Sequence, residues 1–410
     1  MNGLKIVIAG GGMVAGYAAK QMVELGLKPG ELTILSADTS TPYERPPLSK
    51  GFLAGRDSEE SVHINSASFY EEHGIAVRLS CTIASIHARE RRIRLASGEE
   101  LGFEKLIVAT GARARALDVP GAKLKNVQYL RSLEDSKALR ARAAKAKRAV
   151  VIGGGFIGME VGAVLAQSGI AVTMVLGEDR VSKRLFTPRM SRFFENYYGA
   201  RGVQFVTSAT VTELRGGEAV DTVVLADGKT IPCDLVVAGV GVTPVTELLD
   251  GSGLAVADGV VVNEHLETSQ PAILAAGDVA NYPDLLFEKR RRVEHWDNAV
   301  AQGQHCARAV MGERAPFRHV PYFFSDVFDL SYEYWGDLAD AEETIHRGDL
   351  STNSFSVWWL RKGRVVAAFV MSRPDEERDA APKWIENKQP VSAAKLADAS
   401  LPLAQAEQTN

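Results

Sequence analysis

The segment Ala149–Gly162 reads AVVIGGGFIGMEVG. Four apolar residues lead into Gly153-x-Gly155-x-x-Gly158, and a helix-like run follows with Glu160 in its opening turn. The pattern predicts a strand, a tight turn and a helix start. The first glycine permits the turn, the second lets backbone approach a pyrophosphate, and the third lets helix and strand pack closely. The helix N-terminus then offers free N–H groups and the positive end of its dipole to the phosphates. One such loop is weak evidence, since glycine-rich strand–helix turns also occur without a ligand. Here it is the second of two. Lys5–Tyr17 reads KIVIAGGGMVAGY, with Gly10-x-Gly12-x-x-Ala15. A chain with two dinucleotide folds can hold a flavin and a nicotinamide face to face.

The 410 residues suffice for about three domains. A net charge of −4 provides no basic excess and argues against nucleic acid as a partner. No apolar run is long enough to span a bilayer, and the first strand begins almost at Met1, which leaves no signal or transit peptide to expect. Cys81, Cys233 and Cys306 lie far apart without a CxxC or metal spacing, and read as small buried hydrophobes. A soluble cytoplasmic protein without a metal site is expected.

In chain order, a strand at Lys5–Ala9, a helix ending near Gly26 and a strand at Glu31–Ser36 make a first βαβ unit. Asp38 follows, where an acid can accept hydrogen bonds from an adenosine ribose. Thr41–Gly51, TPYERPPLSKG, is a proline-stiffened loop carrying Arg45 and Lys50. On its own it reads as a surface loop with solvated charges. Alternation over Ala76–Leu101 predicts a β-meander, and a buried strand from Lys105 ends in Ala109-Thr-Gly111. After the Gly153 loop come the strand Ala171–Leu176, with Glu178 just beyond it, a second meander over Val203–Leu225, and a strand ending in Gly239-Val-Gly241. The order of glycine loop, meander and closing strand thus occurs twice. Thr268–Ala280 is a buried strand ending in Gly277-Asp278, and Val293–Val310 reads as a helix. From about His319 the chain is aromatic and alternating, as in a small antiparallel sheet, and the tail from about Gln389 is expected to pack loosely.

The combination PYERPPLSK, TSQPAILAAGDVA, RRVEHWDNA and YFFSDVFDLSYEYWG, in that order, resembles the pyridine-nucleotide flavoprotein reductases of the ferredoxin, rubredoxin and putidaredoxin reductase type. Monodehydroascorbate reductases and apoptosis-inducing factor share the architecture. The resemblance implies an α/β fold with two Rossmann-like domains in a glutathione-reductase-like arrangement, plus a C-terminal α+β reductase domain. It places FAD binding in residues 1–112 and 246–318, NAD(H) binding in 113–245, and the reductase-type domain in 319–410. It assigns FAD to Gly10, Gly12, Met13, Val14 and Ala15, with Asp38, Arg45, Ile83, Arg131 and Asp278. It assigns NAD to Gly153, Gly155, Phe156, Ile157 and Gly158, with Glu178, Arg184 and Gly241. Lys50 and Glu160 are implied to form a catalytic pair beside the flavin ring, and Glu294, His295 and Trp296 to line its nicotinamide side. A helix-start His-Trp pair would otherwise read as packing.

The stretches PGELTILSADTSTPYERPPLSKGFL and RLFTPRMSRFFENYYGARGVQF are close to the monodehydroascorbate reductases. Those enzymes carry a basic residue where this chain has Val300, whereas Trp296 matches the tryptophan found over the flavin in bacterial ferredoxin reductases. PPLSK stands where disulfide reductases of this architecture have a cysteine pair, so electrons must leave by the flavin edge. The resemblance thus implies an NADH-dependent reductase passing electrons through FAD to a ferredoxin or rubredoxin. The alternatives are reduction of monodehydroascorbate or a quinone, or an NADH sensor that dimerises on reduction. A monomer or homodimer is expected. Glu178 favours NADH, because a carboxylate there accepts from the ribose 2′-OH and repels a 2′-phosphate. Glu288–Arg292 reads as a solvated charged face.

Overall fold

The computed structural model describes residues 4–408. Contacts divide the chain into two compact units. One comprises the chain up to Glu44, Glu59–Arg113 and Thr243–Phe323; the other comprises Arg45–Ser58, Ala114–Val242 and the chain from Phe324 onward. The fold is mixed α/β.

In the first unit, short apolar runs stack as parallel strands. Ala76–Arg78, Leu32–Leu35, Leu4–Ala9, Glu100–Val108 and Ile273–Ala275 lie side by side, with Ile8 opposite both Ile34 and Ile107, and Leu274 opposite Ile107. Runs such as IVIA and LTIL are almost wholly apolar and buried, as strands of a parallel sheet covered on both faces are. While Ala76–Arg78 joins the parallel strands, the expected meander forms from Ile83–His87, Arg92–Leu95 and the start of Glu100–Val108, paired antiparallel in chain order. That strand therefore serves two sheets, first antiparallel and then parallel. Helices Met13–Glu24 and Trp296–Val310 pack closely, and a Cβ on Gly303 would come 2.9 Å from the Val14 carbonyl oxygen.

Glu288–Arg292 is solvated only in part, with Glu288 and Arg290 exposed and the other three residues partly buried. Its strand Lys289–Arg291 pairs with Ala280–Asp284; Arg290 donates to the Val262 and Asn281 carbonyls, and Arg291 pairs with the buried Asp284. Arg292 bridges Asp258 and Glu294. Charge density in the sequence does not reveal that these guanidinium groups already have acceptors within the fold.

The second unit repeats the parallel arrangement with Gln204–Val206, Ala171–Val175, Arg148–Ile152, Leu235–Ala238 and Val127–Gln128. Beyond Phe324 it adds strands Leu330–Gly336, Arg364–Met371, Ser354–Arg361 and Glu343–Asp349, paired antiparallel. An aromatic seam joins these strands to helix Pro188–Gly199. Phe186 and Phe194 stack at 4.7 Å and both rings meet Tyr332, while Phe193 meets Phe355. Such ring pairs contribute about 0.5–1.5 kcal/mol each beyond the area they bury.

The tail is not loosely packed. Leu396, Leu403 and Ala406 are buried, and the buried Arg347 guanidinium donates to the carbonyls of Leu396, Asp398 and Leu401 while pairing with Glu377. A polar, alanine-rich composition concealed this anchor because the acceptors are backbone groups. Of the cysteines, Cys233 and Cys306 are buried and Cys81 is partly exposed; none is in a disulfide.

Candidate active site

The two glycine loops are built alike. Gly10 N–H donates to the Leu35 carbonyl at 2.8 Å, and Gly153 N–H to that of Val175 at 2.9 Å. Gly10 and Gly153 have φ of 125° and 110°, and added Cβ atoms would meet the carbonyl oxygens of Ala109 at 2.2 Å and Gly239 at 2.3 Å. Gly158 is bound as tightly, with a Cβ 2.2 Å from the Gly153 carbonyl oxygen. These three glycines are demanded by the fold.

Gly155 is different. It has an ordinary φ of −81°, and a Cβ added there meets no atom within 4 Å. Nothing in the protein requires a glycine, whereas a phosphate approaching the backbone does. Gly12 and Gly155 begin their helices without a side-chain cap, while Ser132 and Thr187 cap helices Leu133–Ala143 and Pro188–Gly199. The uncapped N–H groups remain available to anions. Near the first loop, the buried Gln302 accepts from Gly277 N–H at 2.8 Å, and its Nε2 has no hydrogen-bond partner. Both loops thus fit a dinucleotide.

Asp38 lies three residues past the strand end Leu35, and Glu178 three past Val175, so the two acids hold equivalent places. Asp38 also closes its own turn, accepting from Thr39 N–H and Tyr43 O–H, both at 2.7 Å. Glu178 faces Lys183 at 3.5 Å, and Lys183 faces Asp179 at 3.2 Å. These side chains are well exposed, and the Asp179 contact raises the Lys183 pKa while lowering that of Asp179. Arg184 and Ile157 are exposed, Phe156 is part-buried, and Gly241 has φ 96° with open space around it. Met13, Val14 and Ala15 are buried against the first core, and Ile83 lies at its edge.

Within the second unit the Pro-rich loop brings Lys50 to Glu160, Nζ to Oε1 at 2.8 Å, with only 14% and 3% of the side chains exposed. Glu160 is the fifth residue of helix Phe156–Gln167, past the first turn rather than in it, because the helix starts at Phe156. Helix-dipole attraction, strongest in the first turn, is therefore not what stabilises the carboxylate. Hydroxyls do so instead. Ser49 donates to Oε2 at 2.5 Å and Ser325 to Oε1 at 2.6 Å. Beside them the buried Tyr332 hydroxyl is pushed to high pKa by burial, partly relieved by Ser325 and raised further by the Glu160 charge. Lys50 Nζ also lies 5.2 Å from the Phe324 ring centroid. Arg45 donates to the Arg131 carbonyl, and Ser136 Oγ to that of Leu48 at 2.7 Å, which fixes the loop against helix Leu133–Ala143.

In the first unit Glu44 is the organising residue. Oε2 accepts from Trp296 Nε1 at 2.5 Å, Oε1 accepts from the Tyr17 hydroxyl, and the two rings meet edge-on at 6.5 Å. Burial, then Glu44, raise the Tyr17 pKa, so it remains a donor. Trp296 opens its helix, His295 lies 4.5 Å from the Phe323 ring, and Glu294 is held by Arg292 at 2.6 Å. Asp278 is buried in the turn after Ile273–Ala275, where Arg292 grips its carbonyl at 2.8 Å.

The family profile described as pyridine nucleotide-disulphide oxidoreductase matches residues 4–303, and that described as reductase C-terminal matches 322–406. The chain belongs to the pyridine nucleotide-disulphide oxidoreductase family. It is an FAD-dependent NAD(P)H oxidoreductase. Monodehydroascorbate reductase 4 of Arabidopsis thaliana is 37% identical, the match covering 94% of this chain and 83% of that protein. A probable ferredoxin reductase of Castellaniella defragrans is 34% identical over 96% of both. Among solved structures, a ferredoxin reductase from Rhodopseudomonas palustris superposes with a TM-score of 0.94 at 34% identity, covering 98% of this chain and all of that one. Putidaredoxin reductase in its covalent complex with putidaredoxin gives 0.94 at 32%, covering 98% and 97%.

Unlike the disulphide-reducing members that give the family its name, this reductase has no paired cysteines among its described residues. Nor do these residues include a cluster able to hold a metal, or a helix long and apolar enough to cross a membrane. Ser49, Ser325, Glu44 and Tyr17 were not anticipated from sequence. Only the adjacency of Ser49 to Lys50 offered a signal.

Proposed function

We propose that this reductase takes electrons from NADH and delivers them singly to a small iron–sulfur protein of the ferredoxin or rubredoxin class, in the cytoplasm. The observation that carries the reading is the buried Lys50–Glu160 pair in a chain without a cysteine pair. Bound FAD would supply the chemistry, accepting a hydride and releasing electrons one at a time. Lys50 offers a fixed positive charge in a dry site, where it is worth far more than in water. Glu160 holds that charge in place and offsets its desolvation. Gly10, Gly12 and Asp278 would hold FAD, and Gly153, Gly155 and Glu178 the nicotinamide dinucleotide. Trp296, fixed by Glu44, would cover the nicotinamide side.

The ferredoxin and putidaredoxin reductases named above support this acceptor class. Reduction of the monodehydroascorbate radical is the second reading, favoured by relatives of similar identity. Val300, apolar and packed against the first core, weighs against it, since a small anionic radical would be drawn to a basic group there. The test compares acceptors. NADH-reduced protein is offered a ferredoxin, a rubredoxin, and monodehydroascorbate generated by ascorbate oxidase. Rapid, salt-sensitive reduction of an iron–sulfur carrier is expected. Turnover confined to the radical would overturn the primary reading, and protein that neither binds FAD nor oxidises NADH would overturn both.

A further inference from the structure

We propose that Ser325, supplied by the C-terminal reductase domain, is a positioning residue for hydride acceptance, acting through Glu160. The proposal rests on the reading of Lys50–Glu160 as the catalytic pair and adds to it a part for the C-terminal domain.

The buried Glu160 carboxylate receives three donors, Ser49 and Lys50 from the Pro-rich loop and Ser325 from the C-terminal domain. Lys50 and Ser325 share Oε1 at 2.8 and 2.6 Å, and Ser49 takes Oε2 at 2.5 Å. Both serines are themselves buried. A carboxylate on a helix can rotate about its side-chain torsions and present either oxygen to a lysine. With Ser49 fixed on one oxygen and Ser325 on the other, the carboxylate plane is set and Oε1 is directed at Lys50. Hydrogen bonds to a charged group are stronger than neutral ones, so two short hydroxyl donors hold this orientation firmly.

The position of Ser325 is itself well determined. It precedes Asp326 on strand Tyr322–Val327 and is fully buried, and the aromatic seam holds the sheet against helix Pro188–Gly199. The C-terminal domain therefore contributes a hydroxyl to the reductive half of the reaction, in addition to whatever it contributes at the acceptor side. Lys50, lying over the Phe324 ring, is steadied by the neighbouring residue of the same strand.

The experiment uses the FAD-loaded protein and compares Ser325→Ala with Ser325→Thr, which keeps a hydroxyl. In Ser325→Ala, flavin reduction by NADH in stopped flow is expected to slow roughly tenfold, the worth of about one hydrogen bond to a charged group. KM for NADH should stay unchanged, and the flavin reduction potential at equilibrium should fall, because the Lys50 charge is less well placed. Ser325→Thr should restore rate and potential together. If Ser325→Ala fails to fold or loses FAD, Ser49→Ala tests the same idea from the other oxygen and should show the same slower rate and lower potential. Wild-type rate and potential in whichever alanine variant retains FAD would overturn the proposal, as would a loss in Ser325→Ala that the threonine does not restore. Failure of the unmodified protein to be reduced by NADH would instead overturn the function on which the proposal rests.

Discussion

At the scale of single residues, Glu44, Glu178 and His305 each decide something measurable. Glu44→Ala removes the acceptor of two part-buried donors, Tyr17 and Trp296. Losing a carboxylate acceptor shared by two part-buried donors costs about 1 kcal/mol or more, so a lower melting temperature and altered tryptophan emission are expected. Glu178→Ala should narrow a preference for NADH over NADPH, expected to be at least about tenfold in kcat/KM, because one carboxylate supplies both a hydrogen bond and a repulsion. Lys183 beside it offsets part of that repulsion, and steady-state rates with the two cofactors measure the balance. His305 is buried against Phe317, and burial, then the charges of Arg308 and His265, bring its pKa from 6.5 to about 4. Between those values the unfolded chain takes up a proton that the folded protein resists. Stability is fully present above pH 6.5 and falls as pH drops toward 4, by at most roughly 3 kcal/mol from this group. Melting curves across that window should show a smaller fall in His305→Gln. Glu178 was legible from its place after a strand, and Lys50 and Glu160 only through the family resemblance, but Glu44 and Ser325 were found by neither route. Glu44 meets its indole 252 positions away and Ser325 its carboxylate 165 away, and no periodicity encodes such pairings.

At the scale of elements, the glycine loops separate folding from binding within one short turn. Gly153→Ala places a Cβ 2.3 Å from a carbonyl oxygen at a φ of 110°, so it should cost about 1–3 kcal/mol or more and lower the melting temperature. Gly155→Ala meets nothing, so it should fold with a loss of about 1 kcal/mol or less, the penalty of alanine at an N-cap. Its KM for NADH should nevertheless rise at least about tenfold. Calorimetry and NADH titration on the same two variants check both halves. Strand–turn–helix order was readable because period and glycine spacing are local. Element ends were less so: Glu160 fell in the second turn, and Glu100–Val108 proved to be one strand in two sheets. Those outcomes depend on where neighbouring strands stop.

At the scale of the whole molecule, the aromatic seam joins the C-terminal sheet to helix Pro188–Gly199 within the second unit, and the Arg347 anchor ties the tail to that sheet. Removing residues 389–410 would take away the three carbonyls that receive the Arg347 guanidinium and expose the pocket filled by Leu396 and Leu403. Leaving buried guanidinium donors without acceptors costs about 1–3 kcal/mol or more. The truncated protein is expected to melt well below the full chain, and Arg347→Met, which leaves the buried Glu377 with Arg373 and three carbonyls without their donor, should lose stability as well. Thermal unfolding of the three proteins in parallel measures the difference. Composition pointed to a loose tail because an anchor made of main-chain oxygens has no sequence signature.

The state of the three cysteines has a practical consequence. Cys233 is buried with its thiol pushed up to about 12, and burial raises Cys306 as well, so neither supplies thiolate to a reagent near neutrality. Cys81 alone is partly accessible. Cys81→Ser would therefore yield a background silent to maleimides, and a single cysteine introduced on the exposed face of helix Pro188–Gly199 could carry a fluorophore or spin probe. Attached there, on the solvent-facing side and not at the buried Lys50 and Glu160, the probe would show by a change in signal whether an added carrier reaches that helix.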